Sequence, residues 1–153
     1  MTPRSTLRRG GSLLRIAAFV AGFALAAAVP AGLSAQQWPV LKQGMWEFVR
    51  TIGAPGGGAG NTVTSKRCVD PTADMQRQNA TLAKAGCTIS APARRGNIYT
   101  FTASCRMMGV TSDTTSTIAL ESDSVYTLTV EGMTGGAPTR ETLKARRIGD
   151  CSR

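Results

Sequence analysis

The segment that most constrains this chain runs from Cys87 to Cys105 and reads CTISAPARRGNIYTFTASC. Its second limb alternates, with Tyr99, Phe101, Ala103 and Cys105 on one side and Ile98, Thr100, Thr102 and Ser104 on the other. A period of two marks a strand with one buried face. The first limb puts Cys87, Ile89, Ala91 and Ala93 on one side, and Arg94-Arg95-Gly96-Asn97 supplies the reversal. Folding the limbs together sets Cys87 opposite Ser104 or Cys105, with both sulfurs on the apolar face. The expectation is a hairpin closed at its open end by a disulfide.

A disulfide needs an oxidising compartment, and the amino terminus provides for one. Arg4, Arg8, Arg9 and Arg15 form a basic start without an acid, followed by an apolar run from Ile16 to Val29. Pro30 and small residues then lead to Leu33-Ser34-Ala35, a cleavage site before Gln36. Residues 1–35 therefore read as a removed signal peptide, exported by the general or the twin-arginine route. Ile16 to Ala35 also has the length of a membrane span, but Pro30 and the absence of a basic stop after it favour cleavage. The expected location is the periplasm, or outside the cell. Four of the 18 basic residues and none of the nine acids precede Gln36, so the net charge falls from +9 to +5 on cleavage. Residues 36–153 suit one small domain whose core is modest without covalent help.

All four cysteines, Cys68, Cys87, Cys105 and Cys151, lie in the exported part. An even count there predicts two disulfides. No metal site is expected, since there is no Cys-x-x-Cys and no histidine.

Along the exported part, Gln36 to Gln43 is a lead-in containing Trp38 and Pro39. Gly44 to Arg50 predicts a first strand with Trp46 and Phe48 on one face, and Glu47 and Arg50 open to solvent. Gly53 to Gly60 holds five glycines and a proline and predicts a mobile loop. Without a Lys-Ser/Thr or helix start after it, that loop is a poor phosphate cradle. Asn61 to Cys68 is the return strand. Asp70-Pro71 then caps and opens a helix running to about 85, which Gly86 stops. Met75 and Leu82 seat its inner face. Asn79-Ala80-Thr81 is a formal glycosylation sequon, read as chance. Past the central hairpin, Met107 to Asp113 is expected as a loop. Strands follow at 114–121, 124–131 and 139–148, with a turn over Gly132 to Pro138. The fold class is mainly β: a single antiparallel meander of about seven strands, curled or forming a partly open barrel. Its one helix lies between strands two and three.

Two pairings of the cysteines stay open. In a meander, the strand holding Cys105 and the final strand lie apart, whereas joined α-carbons must lie within about 7 Å. That favours Cys87–Cys105 with Cys68–Cys151. The alternative, Cys68–Cys87 with Cys105–Cys151, staples the two helix ends. Each bond contributes about 2–4 kcal/mol, against a net stability of about 5–15 kcal/mol for a domain.

Leu41-Lys42-Gln43-Gly44-Met45-Trp46-Glu47, Cys68-Val69, Cys87, the Gly96-Asn97 turn, Cys105 and Arg147-Ile148-Gly149-Asp150-Cys151 together resemble a bacterial exported family. It is the domain-of-unknown-function family three-six-one-seven. The resemblance implies a small, β-rich envelope domain with four cysteines, and it implies no activity. The chain departs from the family pattern in its glycine loop at 53–60.

Catalysis finds little support. Histidine, the commonest general base, is missing, no serine has a nucleophile-elbow context, and oxidised sulfurs are not nucleophiles. The acids fall at a helix cap, at turns or on solvent faces, and Glu47 is expected exposed or arginine-paired. No cofactor is implied. A binding or structural module without catalysis is the expectation, with two ways to bind. Trp46, Phe48, Tyr99, Phe101 and Tyr126 either line an apolar, lipid-like site in the curled sheet or form its core. Arg140, Lys144, Arg146 and Arg147 on the last strand, with Arg94-Arg95, either meet an anionic envelope polymer, lipid or protein, or simply keep a strand edge soluble. Nucleic acid is not expected, because no aromatics interleave with the basic residues.

Overall fold

A computed structural model describes residues 38–53 and 60–152. The signal peptide expected at 1–35, and the glycine loop apart from Gly53 and Gly60, lie outside the described residues. Eight strands and one helix follow in the order β1 (Gly44–Ile52), β2 (Asn61–Val69), α1 (Pro71–Lys84), β3 (Thr88–Ile89), β4 (Ala93–Arg95), β5 (Ile98–Met107), β6 (Val110–Ser122), β7 (Val125–Thr134) and β8 (Ala137–Gly149). All pair antiparallel in one open sheet of order β2-β1-β8-β7-β6-β5-β3, with β4 also on β5.

The mainly β, antiparallel class with one helix between the second and third strands is the one the alternation predicts. The details differ in three ways. The sheet has eight strands rather than seven, because Ser90 to Pro92 splits the first hairpin limb into β3 and β4. The reversal there is Gly96-Asn97, while Arg94 and Arg95 belong to β4. The expected loop at 107–113 shrinks to Met108-Gly109, both at positive φ, which is the backbone of a two-residue hairpin turn. The expected turn at 132–138 shrinks likewise to Gly135-Gly136. Gly132 sits inside β7, where an added Cβ would run into the Asp113 and Thr114 backbone. It is a site of close strand approach, which sequence alone cannot separate from a turn. Finally, the meander is rearranged at one end, since β8 returns to pair with β1.

One face of the sheet is covered. Trp46 and Phe48 of β1, Ala145 of β8, Tyr126 of β7, Ile118 of β6 and Tyr99 of β5 share it with Leu41 of the lead-in. Trp46 stacks near Phe48 at 6.2 Å and meets Tyr126 at 5.7 Å. Burial pushes the Tyr126 hydroxyl up to about 12. Helix α1 supplies Met75 to this cluster, and its start is capped by the Asp70 carboxylate accepting from Ala73 N at 3.0 Å. Leu82 is half-buried on the same stripe. Both helix ends turn tightly: Asp74 N donates to Asp70 O and Cys87 N to Leu82 O. The helix, about 21 Å long, carries the chain from β2 to β3 at opposite edges of the sheet, with Asp70 and Ala85 to Cys87 as its connections.

Two disulfides clasp the ends. Cys87–Cys105 closes the hairpin mouth with a Cα separation of 4.3 Å, and Cys68–Cys151 joins β2 to the tail at 5.5 Å. The second is possible because β8 lies beside β1, whose Met45 pairs with both Cys68 and Gly149. The bonds close loops of 83 and 18 residues. Loop entropy then assigns about 4.5 kcal/mol to Cys68–Cys151 and about 3 kcal/mol to Cys87–Cys105. Replacing each pair by alanine and comparing urea midpoints checks this, and the pair Cys68/Cys151 is expected to cost more.

Candidate functional site

The structure divides the aromatic residues into two groups. Trp46, Phe48, Tyr99 and Tyr126 are under 5% exposed and form the core. Of these, Tyr126 also borders an open pocket of about 310 Å³, together with Glu47, Lys144 and Arg146. Phe101 is half-buried and meets the edge of Trp38, a residue to which the sequence assigned no role, at 5.5 Å.

Trp38 is held by the lead-in, which is clipped to the helix. The Thr72 hydroxyl donates to Pro39 O at 2.8 Å and accepts from Leu41 N at 3.0 Å. Trp46 Nε1 donates to Lys42 O at 3.0 Å, and Lys42 N donates to Asp123 O at 2.9 Å. This fixed strap leaves a cleft of about 450 Å³ between Trp38, the helix and β3, a size suited to a small ligand. Gln76, Asn79, Ala80 and Ala83 form its helical wall, and Ile89 and Ser90 its strand wall. No lining residue among those described is charged. Asn79 stands between the helix stripe that packs inward (Met75, Leu82) and the one that faces the cleft (Gln76, Ala80, Ala83). Its Nδ2 is enclosed and has no hydrogen-bond partner among the described residues. An enclosed, unpartnered amide donor is destabilising by about 1–3 kcal/mol. The same enclosure hides the atom that glycosylation of the sequon would need.

The basic residues of β8 fall on two faces. Arg140, Lys144 and Arg146 lie on the uncovered face and Arg147 on the covered one, by the alternation of their β1 and β7 partners. Most are neutralised locally. Arg140 pairs with Glu131 at 2.6 Å, Arg146 with Glu47 at 2.8 Å, and Arg147 with Asp150, also donating to Gln43 O at 2.9 Å. Lys144 has no ion pair among the described residues. Glu47 is held between Arg146 and Lys66, the latter at 3.5 Å, with its side chain 16% exposed. Arg94 and Arg67 lie on the covered face, 5.3 Å over Tyr99 and 4.8 Å over Phe48. Among the described residues no cluster of three or more His, Cys, Asp or Glu is placed to hold a metal ion. No helix there is long and apolar enough to cross a membrane.

These features define a small open β domain, clasped by two disulfides, with an uncharged cleft beside its one helix. The chain belongs to the DUF3617 family: the family model, described as a protein of unknown function, matches residues 41–151. The match spans all four cysteines and every element from β1 to β8. No curated protein and no solved structure matches.

The cleft was missed in the sequence because Trp38 precedes any periodic segment and Asn79 reads as an ordinary helix-surface residue. The available signal was a helical spacing of small residues, Ala80 and Ala83, near a lone tryptophan. Glu47 is a separate matter. The hydrogen bond from Arg146, then its charge and that of Lys66, outweigh burial and hold the carboxyl below its ordinary 4.5. A lowered folded value means that the ion pairs contribute fully above the unfolded value and are lost as pH falls through the folded one. Carboxyl NMR titration should place the Glu47 midpoint below 4.5, and Arg146→Ala should raise it. A midpoint unmoved by that substitution would show that Arg146 is not its main partner.

Proposed function

We propose that this chain is an exported, non-catalytic binding module of the bacterial envelope, and that the cleft between α1, Trp38 and β3 takes a small uncharged amphipathic molecule of lipid-like character. Export is supported by the arginine-rich start, the apolar run to Val29 and the small residues before Gln36. Two disulfides suit the periplasm. A role without catalysis is supported by the lack of histidine and by the use of acids such as Glu47, Glu131 and Glu141 in ion pairs.

One observation carries the ligand class: a cleft of about 450 Å³ walled by Trp38, Ile89 and two alanines, with Gln76 and Ser90 as uncharged polar members of its lining. An apolar body would lie against the indole, and a ligand hydroxyl or ester oxygen would bond to the Gln76 amide or the Ser90 hydroxyl. With no charged group among the described lining residues, an ionic headgroup finds no counterpart there. The anionic-surface alternative retains Lys144, while Arg140, Arg146 and Arg147 already have acid partners.

Trp38, rather than the fully buried Trp46, is the reporter of this site. A neutral naphthylamine dye and a monoacylglycerol, titrated separately, should shift Trp38 emission with little dependence on salt. Trp38→Ala should weaken dye binding at least about tenfold. Asn79→Leu should raise the ligand-free stability by about 1 kcal/mol, whereas Gln76→Leu should weaken the monoacylglycerol. Dye binding that survives Trp38→Ala, or that collapses with salt, would overturn the reading.

A further inference from the structure

The two edges of the sheet are built differently. One is formed by β3 and β4, two and three residues long and separated by Ser90-Ala91-Pro92, which is how a sheet blunts an edge. The other is β2, nine residues without proline, in unbroken register with β1 from Gly44–Val69 to Ile52–Asn61. Asn61 to Cys68 is exposed throughout, and β2 has no second partner strand among the described residues. Cys68–Cys151 further fixes this strand to the sheet. A long, regular and covalently held edge is a template for strand addition.

We propose that the β2 edge is the interface of a two-fold dimer of this chain, in which β2 pairs antiparallel with its copy about Ser65. The sequence of β2, NTVTSKRCV, is complementary to itself in that register. Ser65 meets Ser65, Thr64 meets Lys66, Val63 meets Arg67, Thr62 meets Cys68 and Asn61 meets Val69. No two like charges face each other, and β2 carries no acid that a basic partner would need. Val63, 61% exposed in one chain, faces position 67 of the other and loses exposure to the added strand. An acidic strand from another protein is less well matched. Lys66 is already committed to Glu47 and Arg67 to the Phe48 ring, so neither cation is left to recognise it. The cleft at the β3 edge lies at the far side of the strand order and stays open in this dimer.

Sedimentation of the purified, oxidised protein tests the proposal, with dimer expected in the micromolar range. Thr64→Lys puts lysine opposite Lys66 of the copy and should weaken association at least about tenfold, with an unchanged circular dichroism spectrum and melting curve of the monomer. Ser65→Cys should form an intermolecular disulfide without a cross-linker, because facing α-carbons in an antiparallel pair lie about 4.5–5.5 Å apart. Asn61→Cys should not, since its two copies stand about eight residue rises, about 27 Å, apart. A monomer throughout the micromolar to millimolar range overturns the dimer and leaves the edge to an extended segment of another protein. A dimer that persists in Thr64→Lys, or cross-linking through position 61 instead of 65, assigns association to another surface or register and overturns it equally.

Discussion

The pairing of β1 with β8 is the interaction on which the rest of this fold depends. Without it the chain would be two unconnected pieces: a hairpin near the start and a run of hairpins from β4 to β8. The pairing sets Phe48 opposite Ala145, and Ala145 in turn opposite Tyr126. A small residue between two rings leaves space for the aromatic cluster around Trp46. It also carries the tail past Met45 to within disulfide reach of Cys68. That bond then secures the pairing by making separation of the first and last strands costly in the folded chain and limiting it in the unfolded one. With a buried apolar core among the described residues of little more than Leu41, Trp46, Phe48, Cys87, Tyr99, Ile118, Tyr126 and Ala145, besides Pro39 and Pro71, covalent closure is comparable in size to the net stability of such a domain.

Strict alternation made most of the architecture legible in the sequence. Tyr99, Phe101, Ala103 and Cys105 announce their shared face, and the cysteine parity places Cys87 opposite Cys105 once a hairpin is assumed. The Asp70-Pro71 start of the helix is equally plain, because aspartate and proline act there through local backbone chemistry. What was not legible depends on distant parts of the chain. The lead-in looks irregular until Thr72 is brought beside Pro39 and Leu41. Gly132 looks like a turn residue until β6 is seen crossing against it. Asn79 gives no sign of its enclosure, since burial of one helix residue depends on what the strap and β3 do around it.

The face that no other described element covers carries a row of polar side chains. Thr62, Thr51, Thr142, Thr129, Thr117 and Thr100 pair one after another across six strands. The Thr51 and Thr62 hydroxyls are 3.0 Å apart. Threonine combines a β-branched backbone preference with a side chain content in water. Flanking this row, Glu131–Arg140 and Lys66–Glu47–Arg146 bridge neighbouring strands with alternating charge. Such pairs are exposed and individually weak. Their larger effect is to disperse what the sequence presents as a basic strand, so that β8 is a mixed surface rather than a cationic stripe.

The cleft follows from how the helix is seated. Its 14 residues connect the β2 edge of the sheet to β3. It packs with one stripe, Met75 and Leu82, and a stripe of small residues is left facing the strap. Ala80 and Ala83 have too little side chain to reach Trp38 and Ile89, and a larger residue at either position would close the gap at little conformational expense. The helix therefore keeps space where filling it would add to a core that has few residues to spare. It also encloses an amide, Asn79 Nδ2, with no partner among the described residues. A chain that depends on disulfides for stability gives up packing beside this helix, and the space left open there is what the proposed ligand rests on.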